Sequence, residues 1–508
     1  MKPSRRELLI AGGAGVLSVG TAAAIATAVT PSVPTFSEHH TPTSKPFVLS
    51  PSSVVRNRKS FWDLSDDEVR TLCKAVAYAR NQYLVNDPRK WENYAKIHAW
   101  HCTGEAGADP HGVLQVHWSW HFLPWHRGYI YFLERILAQA LKDQGIDDST
   151  FAYPYWDWTA HQEVPNTKER VARGLASPLW GYDLTQENMV NTDTLGFDNL
   201  ALFNGNRGPS LTKSKMTPDN EVTPDSKSHI EEAQHYLSAE YIKLALTLPW
   251  EQFGGKVDIN RTSQGILEAG PHNDGHDWCG TRFGSNRDMG TLKFAAQDPI
   301  FFMHHGNIDR IFSLYRGEMP DVNGPWGQQT YDYTDADGST VTVSVKEIMT
   351  VLTPQVHYVA PSDDKLPQLL AASRPRKERA VVSMPFSNIT VLPSVPTTVA
   401  VSMKEPLPTD LANDVVLLEI ETGPIRRRGR ATIRLYVDRQ YVGRIKMLDG
   451  DQPVTQDTNT THTFVVTANK LGTLMGFVGD PNQFSVRFEA SGLEAPVQIK
   501  RVSLRLLQ

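Results

Sequence analysis

Two groups of three histidines constrain this 508-residue chain more than any other sequence feature. The six positions are His98, His117, His126, His272, His276 and His305. The segments around them are rich in tryptophan, phenylalanine, isoleucine and leucine, a composition typical of buried helix. An imidazole in an apolar segment is costly unless its nitrogens have partners. Two triads of neutral imidazoles therefore predict two metal ions held face to face.

The spacing of the histidines predicts where each one lies in a helix. His272 and His276 are four residues apart, so on a helix they share one face and can bind one ion. His305, on a later helix, would complete that triad. His117 and His126 are separated by about two and a half helical turns, too far for one helix to aim both at one ion. We therefore expect His117 at or before a helix start and His126 inside the helix.

Other histidines and other metals are the alternatives to this interpretation. His111, His121 and His304 are interpreted as core histidines, since adjacent helical positions point about 100° apart and only one of His304 and His305 serves easily. All-histidine ligation without cysteine pairs favours copper or catalytic zinc over structural zinc. A dizinc hydrolase is the alternative from another class, but such sites normally include bridging carboxylates, which these triads lack.

Composition is that of a soluble globular protein, with 40% hydrophobic and 21% charged residues. The net charge of -5 creates no field that favours nucleic acid, so no nucleic-acid partner is expected. Three cysteines, Cys73, Cys102 and Cys279, exclude a disulfide scaffold. A pairing of Cys73 with Cys279 stays open.

The first 30 residues are interpreted as a twin-arginine signal peptide. Arg5 and Arg6 precede a run rich in glycine, alanine and threonine that ends in small-residue cleavage sites. The alternative is a membrane anchor, but the run is only modestly apolar. We expect an exported protein, periplasmic or secreted, without stable membrane insertion once the signal is removed.

The distribution of helix-like and strand-like segments along the chain predicts two folded parts after the signal peptide. Residues 31–370 are expected to form a mainly α core, a four-helix bundle around the metal pair. A basic, proline-containing stretch within 371–380 predicts an exposed linker. Residues 381–508 contain short, regularly spaced strand-like stretches such as 415–420 and 432–437, which predict an all-β, sandwich-like domain.

Several longer stretches resemble the type 3 copper family of tyrosinases, polyphenol oxidases, catechol oxidases and haemocyanins. The resemblance covers roughly residues 45–350 and, more weakly, the C-terminal domain of plant-type polyphenol oxidases. The stretches that carry it are 98–102, 115–137, Tyr153-Pro154-Tyr155-Trp156-Asp157-Trp158, 268–280, 288–290, 298–310 and Tyr331-Asp332-Tyr333. It implies a dicopper catalytic domain, with the first histidine triad on copper A and the second on copper B.

The resemblance also implies a covalent crosslink and an enzymatic activity. Cys102 falls where plant-type and fungal members join a cysteine to the second copper A histidine by a thioether, here His117. The expected partners are phenolic small molecules and O2. The expected reaction is ortho-hydroxylation of monophenols and oxidation of o-diphenols to o-quinones. The sequence gives no indication of an oligomeric state.

Four further residues are assigned by their positions in the family motif. Glu268, four residues before His272, and Asn273, directly after it, are expected to hold a water that deprotonates a monophenol. Leu292 aligns with the family's gate residue, and Asp277 would add a carboxylate near the mouth of the site. A catechol oxidase or an o-aminophenol oxidase without monophenol activity is the close alternative. Haemocyanin-like oxygen binding is the remote one.

The C-terminal β domain is expected to shield the copper entrance. The resemblance to plant-type enzymes implies this role, and the lysines and arginines of Arg374–Arg379 would expose the linker to proteases. A domain that only stabilises the core is the alternative. We therefore expect a latent enzyme.

Overall fold

A computed structural model describes most of the chain. The described residues are 44–50, 54–103, 116–159, 200–202, 235–256, 263–280, 289–361, 366–371, 373–384, 389–402, 414–437, 440–447, 459–467 and 483–508. The predicted signal peptide and the predicted core histidine His111 lie outside them. Residues Pro42–Gln508 form one compact unit. Among the described residues, no helix combines the length and the apolar character needed to span a membrane.

The first part of this unit is mainly helical. Its α-helices are α1 (Asp66–Asn81), α2 (Trp91–Thr103), α3 (Phe122–Asp143), α4 (Ala239–Thr247), α5 (Trp250–Phe253), α6 (Asn273–Cys279), α7 (Leu292–Ala295), α8 (Pro299–Leu314), α9 (Val345–Glu347) and α10 (Leu366–Ala371). Two π-helical turns occur at Glu268–His272 and Ile348–Leu352. Short strands β1 (Lys45–Pro46), β3 (Thr330–Thr334) and β4 (Thr340–Ser344) form one sheet, and β2 (Arg56–Arg58) pairs with β5 (Val356–Tyr358).

Local sequence signals set the ends of the helices. A reciprocal capping box at Ser65 and Glu68 starts α1, because each side chain bonds the other residue's backbone N–H. The Asp298 side chain accepts a hydrogen bond from the Ile300 N–H at 3.0 Å, and Pro299 occupies the first position of α8. The cap at Asp298 and the proline at 299 fix where α8 begins, and therefore the position of His305 along this helix.

Helix α3 is the centre of the core, and β3 fixes it in place. Most of its residues are buried, as expected for a helix packed on several sides. The Tyr333 hydroxyl donates to the Trp125 carbonyl at 3.0 Å, and the Tyr331 hydroxyl lies 2.6 Å from His121 Nδ1. Gly128 permits this packing, because a Cβ there would lie 2.5 Å from the Tyr333 hydroxyl oxygen.

The second part is a two-sheet β-sandwich. Its strands are β6 (Glu378–Met384), β7 (Ile389–Val391), β8 (Thr397–Ser402), β9 (Val415–Thr422), β10 (Arg427–Val437), β11 (Gln440–Met447), β12 (Thr460–Thr467), β13 (Gln483–Leu493) and β14 (Val497–Leu507). One sheet has the order β11-β10-β13-β8. The other has the order β12-β9-β14-β6, with β7 also paired to β14.

Strand β9 is buried on both faces, because the sandwich packs against the helical core. Val416, Leu418 and Ile420 belong to the hydrophobic cluster inside the sandwich. Val415 and Leu417, which point to the opposite face, belong to the cluster of the helical core. The two parts therefore share a continuous apolar contact.

The predicted fold class is confirmed: the core is mainly helical and the C-terminal part is an all-β sandwich. The predicted strands within 415–420 and 432–437 correspond to β9 and β10. Strand β6 begins at Glu378, inside the stretch predicted as linker. The exact domain boundaries stay a prediction.

A buried histidine makes the sandwich sensitive to acid. His462 Nε2 lies 3.1 Å from Thr460 Oγ1 and 3.3 Å from Thr422 Oγ1, and its ring meets Trp118 edge-on. Burial lowers the pKa of His462 to about 3. The folded protein therefore holds this ring neutral, whereas the unfolded chain protonates it below about pH 6.5.

We expect acid to destabilise the sandwich through His462. The stabilising effect of the neutral ring is fully present above about pH 6.5 and falls by about 1.4 kcal/mol per pH unit as the pH drops towards 3. His462→Gln should therefore lose less thermal stability than the parent between pH 7 and pH 4, as measured by calorimetry at both values. Equal losses in parent and variant would contradict this account.

Candidate metal centre

The six predicted ligand histidines come from four helical segments of the core. His98 lies on α2, His117 precedes α3, His126 lies on α3, His272 ends the π-helical turn, His276 lies on α6 and His305 lies on α8. All six are at most 2% exposed. The π-turn and α6 run into each other at His272, so this triad uses one continuous segment and α8, as the spacing predicts.

The structure brings the histidines together as two triads. In each triad the candidate ligand nitrogens lie within 4.8 Å of one another. His276 Nε2 and His305 Nε2 are 3.3 Å apart, the separation expected for two nitrogens bound tetrahedrally at about 2.0–2.1 Å, as for zinc. The triads face each other, since the rings of His126 and His305 stack with centroids 4.1 Å apart.

Hydrogen bonds at Nδ1 orient four of the six rings. Each Nδ1–H donates to an oxygen: His98 to the Leu292 carbonyl (3.1 Å), His126 to the Phe122 carbonyl (2.8 Å), His272 to Asn273 Oδ1 (2.9 Å) and His276 to the Met289 carbonyl (2.6 Å). This arrangement fixes the tautomer and leaves the Nε2 lone pair for a metal ion.

Burial keeps these rings neutral. It lowers the pKa of His98, His117, His126, His272 and His305 below the ordinary value, and neighbouring imidazoles lower it further. For His117 the pKa falls to about 3. A neutral imidazole is the form that binds a metal ion, so the centre is ready to bind metal at neutral pH.

The residues present fit a pair of metal ions. Within the described part of the chain, His126 Nε2, His272 Nε2 and both ring nitrogens of His117 are buried without a hydrogen-bond partner. A buried nitrogen without a partner is costly, and a metal ion at the centre of each triad would bind one nitrogen of each ring and so reduce that cost. An all-imidazole donor set suits copper or zinc.

The comparison with known families decides between these metals. Residues 88–318 match the family model described as the common central domain of tyrosinase. Residues 88–318 therefore form a domain of the tyrosinase and polyphenol oxidase family of type 3 copper proteins. Proteins of this family bind a dinuclear copper site, so the cofactor of the two triads is a pair of copper ions.

Relatives and solved structures extend the comparison. The chain is 31% identical over 323 residues to a chloroplastic polyphenol oxidase of Vitis vinifera, which covers 59% of this chain and 46% of the relative. It is 31% identical over 301 residues to aureusidin synthase of Antirrhinum majus, with 56% and 46% covered. The chain thus matches a little under half the length of these relatives.

Two latent enzymes share the fold over almost the whole chain. The structure of latent apple tyrosinase superposes with a TM-score of 0.63 at 19% identity, covering 92% of this chain and all of that chain. A latent aurone synthase gives a TM-score of 0.66 at 19% identity, covering 91% of both chains. At these identities the likeness shows the fold.

Glu268 and Asn273 flank His272, as predicted, and both are buried. Glu268 Oε1 accepts hydrogen bonds from the Trp118 N–H at 2.8 Å and from Gln264 Nε2 at 3.0 Å. Asn273 Oδ1 accepts from His272. Glu268 is therefore a carboxylate in a dry environment next to both triads, and Asn273 is a group that orients a candidate ligand.

The two residues predicted at the mouth of the site are covered in this structure. The Asp277 carboxylate forms an ion pair with Lys446 of β11. Leu292 is 1% exposed, and its carbonyl is the acceptor that orients His98. Their roles towards substrate stay predictions. Cys102 lies in the last turn of α2, and its side chain is outside the described part, so the thioether also stays a prediction.

The other histidines and the two remaining cysteines have structural surroundings. His304 accepts a hydrogen bond from Trp158 Nε1 at 3.0 Å and donates to the His272 carbonyl at 3.1 Å, which agrees with a core role. Gly275 makes room for it, because a Cβ there would lie 2.2 Å from the His304 ring. Cys73 and Cys279 are both buried and are not joined in a disulfide.

Asp309, on the helix that carries His305, belongs to a buried polar cluster of the helical core. It pairs with Arg127 at 2.5 Å and with Arg58 at 3.5 Å, and it accepts from the Tyr358 hydroxyl at 2.5 Å. This buried group ties α3 and α8 to strands β2 and β5. Sequence reasoning missed the contacts that Trp118, Arg444 and Lys446 make between the helical core and the sandwich.

The ligand assignment predicts the copper content of three variants. His126→Ala and His272→Ala should each hold one copper ion per chain instead of two, because two remaining imidazoles bind copper weakly. His304→Gln is the matched control: both ring nitrogens of His304 bond protein groups, so this variant should keep both ions. Atomic absorption on the purified proteins measures this. A full copper content in either alanine variant would overturn the assignment.

Proposed function

We propose that this chain is a copper-dependent polyphenol oxidase that ortho-hydroxylates monophenols and oxidises o-diphenols to o-quinones with O2. The observation that carries the proposal is the combination of two facing histidine triads with one buried carboxylate, Glu268, one turn before His272. Bound copper would supply dioxygen binding and the electron transfer of the oxidation. The protein's own groups must then bind the phenol, orient it and remove its proton.

Glu268 is the group we assign to proton removal. A phenol has a pKa of about 10. At neutral pH a base must therefore take its proton before the phenolate oxygen can bind a metal ion. Glu268 is 1% exposed and its Oε1 is held by two hydrogen-bond donors, which fixes the direction of the carboxylate. A fixed carboxylate can accept the proton directly or through one water.

Asn273 supports the same step from the other side of His272. Its Oδ1 holds the imidazole, and its Nδ2 donates to the Lys446 carbonyl at 3.5 Å. The Asn273 amide therefore keeps His272 in a single orientation and itself stays close to the site. A catechol oxidase would depend less on these groups, because a diphenol is easier to deprotonate than a monophenol and already carries both oxygens.

Asp277 favours phenols with a basic substituent once the site is open. In this structure its carboxylate is neutralised by Lys446. If β11 moves away, the carboxylate loses its partner and becomes available to an amino group. This observation keeps an o-aminophenol oxidase as the second candidate.

We also propose the domain roles predicted from the sequence. Residues 1–30 would act as a twin-arginine signal that directs export to the periplasm or the medium. Residues 31–370 would form the catalytic domain, 371–380 the linker and 381–508 a shielding domain. Contacts between β11 and α6 support the last role, because α6 carries His276.

Two buried ion pairs join α6 to β11. Arg444 pairs with Asp274, and Lys446 pairs with Asp277; all four side chains are at most 6% exposed. Arg444 also lies over the Tyr236 ring at 4.8 Å and donates its backbone N–H to the Tyr236 hydroxyl at 3.0 Å. Removing one partner of such a pair leaves a buried charge and costs about 3–5 kcal/mol. The pairs therefore hold the sandwich over this side of the copper centre.

Glu268 and Asn273 should separate the two activities. Glu268→Gln or Asn273→Gly should lower monophenol turnover at least about tenfold more than diphenol turnover, because general base catalysis contributes typically 10²–10⁴-fold. Initial rates on a matched monophenol and diphenol measure the ratio at constant copper content. Equal losses on both substrates would assign these residues to structure only.

The ion pairs between α6 and β11 should control latency. Lys446→Met leaves Asp277 buried without its partner, which favours the open form and should raise diphenol turnover of the full chain severalfold. Lys500→Met, at an exposed position of β14, is the control and should change nothing. Trypsin cleavage near residue 375 should produce the same rise in the parent. A full chain already as active as its cleaved core would refute shielding.

A further inference from the structure

Trp118 has a backbone conformation that large side chains rarely adopt. Its φ is +59°, and its side chain is fully buried. The left-handed region brings Cβ too close to the following carbonyl oxygen, and a bulky residue there is an outlier that surrounding contacts must stabilise. Trp118 directly follows His117, so the strained residue adjoins a candidate copper ligand.

Contacts from both parts of the protein hold Trp118. On the core side, its backbone N–H donates to Glu268 Oε1 at 2.8 Å. On the sandwich side, the indole belongs to a hydrophobic cluster whose other buried members all lie between Ile389 and Leu506. Its ring meets the His462 ring at 5.7 Å with an interplanar angle of 86°. The indole is thus a core residue of the sandwich, although its backbone belongs to the copper domain.

His117 is oriented differently from most of the ligand rings. Four ligand rings are oriented by a hydrogen bond at Nδ1, whereas neither ring nitrogen of His117 has a hydrogen-bond partner among the described residues. Apart from the predicted thioether to Cys102, the direction of this ring is set by the main chain at 117 and 118. That main chain has its unusual path only while Trp118 stays left-handed.

We propose that Trp118 is a positioning residue that couples the β-sandwich to the copper centre. The sandwich holds the indole, the held indole keeps the backbone left-handed, and this backbone aims His117 and presents an N–H to Glu268. The inference rests on the proposed function in that His117 is taken as a copper ligand and Glu268 as the base. It adds that one residue transmits the state of the sandwich to both.

Three substitutions at one position separate packing from backbone conformation. Trp118→Phe keeps an aromatic ring in the sandwich. Trp118→Ala and Trp118→Gly both remove the ring, but only glycine adopts a positive φ without strain. The full-length, copper-loaded chain is titrated with a copper chelator, and the retained copper is counted per chain. The second triad serves as an internal control for folding in every variant.

We expect the alanine variant to lose one copper ion at about 10–100-fold lower chelator concentration than the parent, the range found when groups that orient a ligand are removed. The glycine variant should lie between alanine and the parent, and the phenylalanine variant should match the parent. The ratio of monophenol to diphenol turnover should fall in the same order, because the Glu268 contact depends on the same backbone. Equal copper retention in the alanine and glycine variants, or retention in alanine as tight as in the parent, would overturn the proposal.

A fourth variant tells a failure of this inference from a failure of the proposed function. His117→Ala removes the ligand itself. If it loses one copper ion while the three Trp118 variants behave like the parent, His117 is a ligand and the coupling is refuted. If His117→Ala keeps both ions, the ligand assignment fails, and with it the basis of the coupling.

Discussion

The structure depends on the burial of neutral imidazoles in a dry helical core. Each ring loses its hydration on burial. The free-energy cost of this loss must be offset by hydrogen bonds or by a metal ion. Backbone carbonyls from α3, α7 and the segment before α7 satisfy three of the rings, and Asn273 satisfies a fourth. In each triad the candidate ligand nitrogens lie within 4.8 Å of one another. The helices are consequently arranged around a polar centre that a bound metal ion would stabilise.

The sandwich is attached to this core by contacts of two different physical kinds. The apolar contacts that β9 makes with the helical core, and the Trp118 indole with the sandwich, are non-directional and hold the two parts together. The ion pairs of Arg444 and Lys446 with α6 are directional and set the register of β11 on the helix. Both kinds of contact lie near ligand-bearing segments, so a change in the sandwich can reach the metal centre.

The sequence predicts those features that are local or come from residue chemistry. Two features follow from spacing and side-chain type: the position of His117 before α3 and the strand structure of β9. The partners of Asp274 and Asp277 do not, because about 170 residues separate them from Arg444 and Lys446. The positive φ of Trp118 was also unpredictable, since tryptophan is among the last residues expected there and glycine is the usual signal. Asp309 illustrates a third case. Its carboxylate contacts Arg58, Arg127 and Tyr358 together, and only the packed fold brings these distant residues into contact.

The position of Trp118 has a consequence for the order in which the molecule matures. Its packing partners are synthesised much later than Trp118 itself: His462 follows it by more than 340 residues, and β14 ends at Leu507. Contacts of such high sequence separation form late, because the chain must close a very long loop first. During synthesis the helical core can condense while residue 118 still adopts an ordinary conformation. Under the proposed coupling, the metal centre reaches its final geometry only once the sandwich has folded, so the folding of this domain sets the time of metal acquisition.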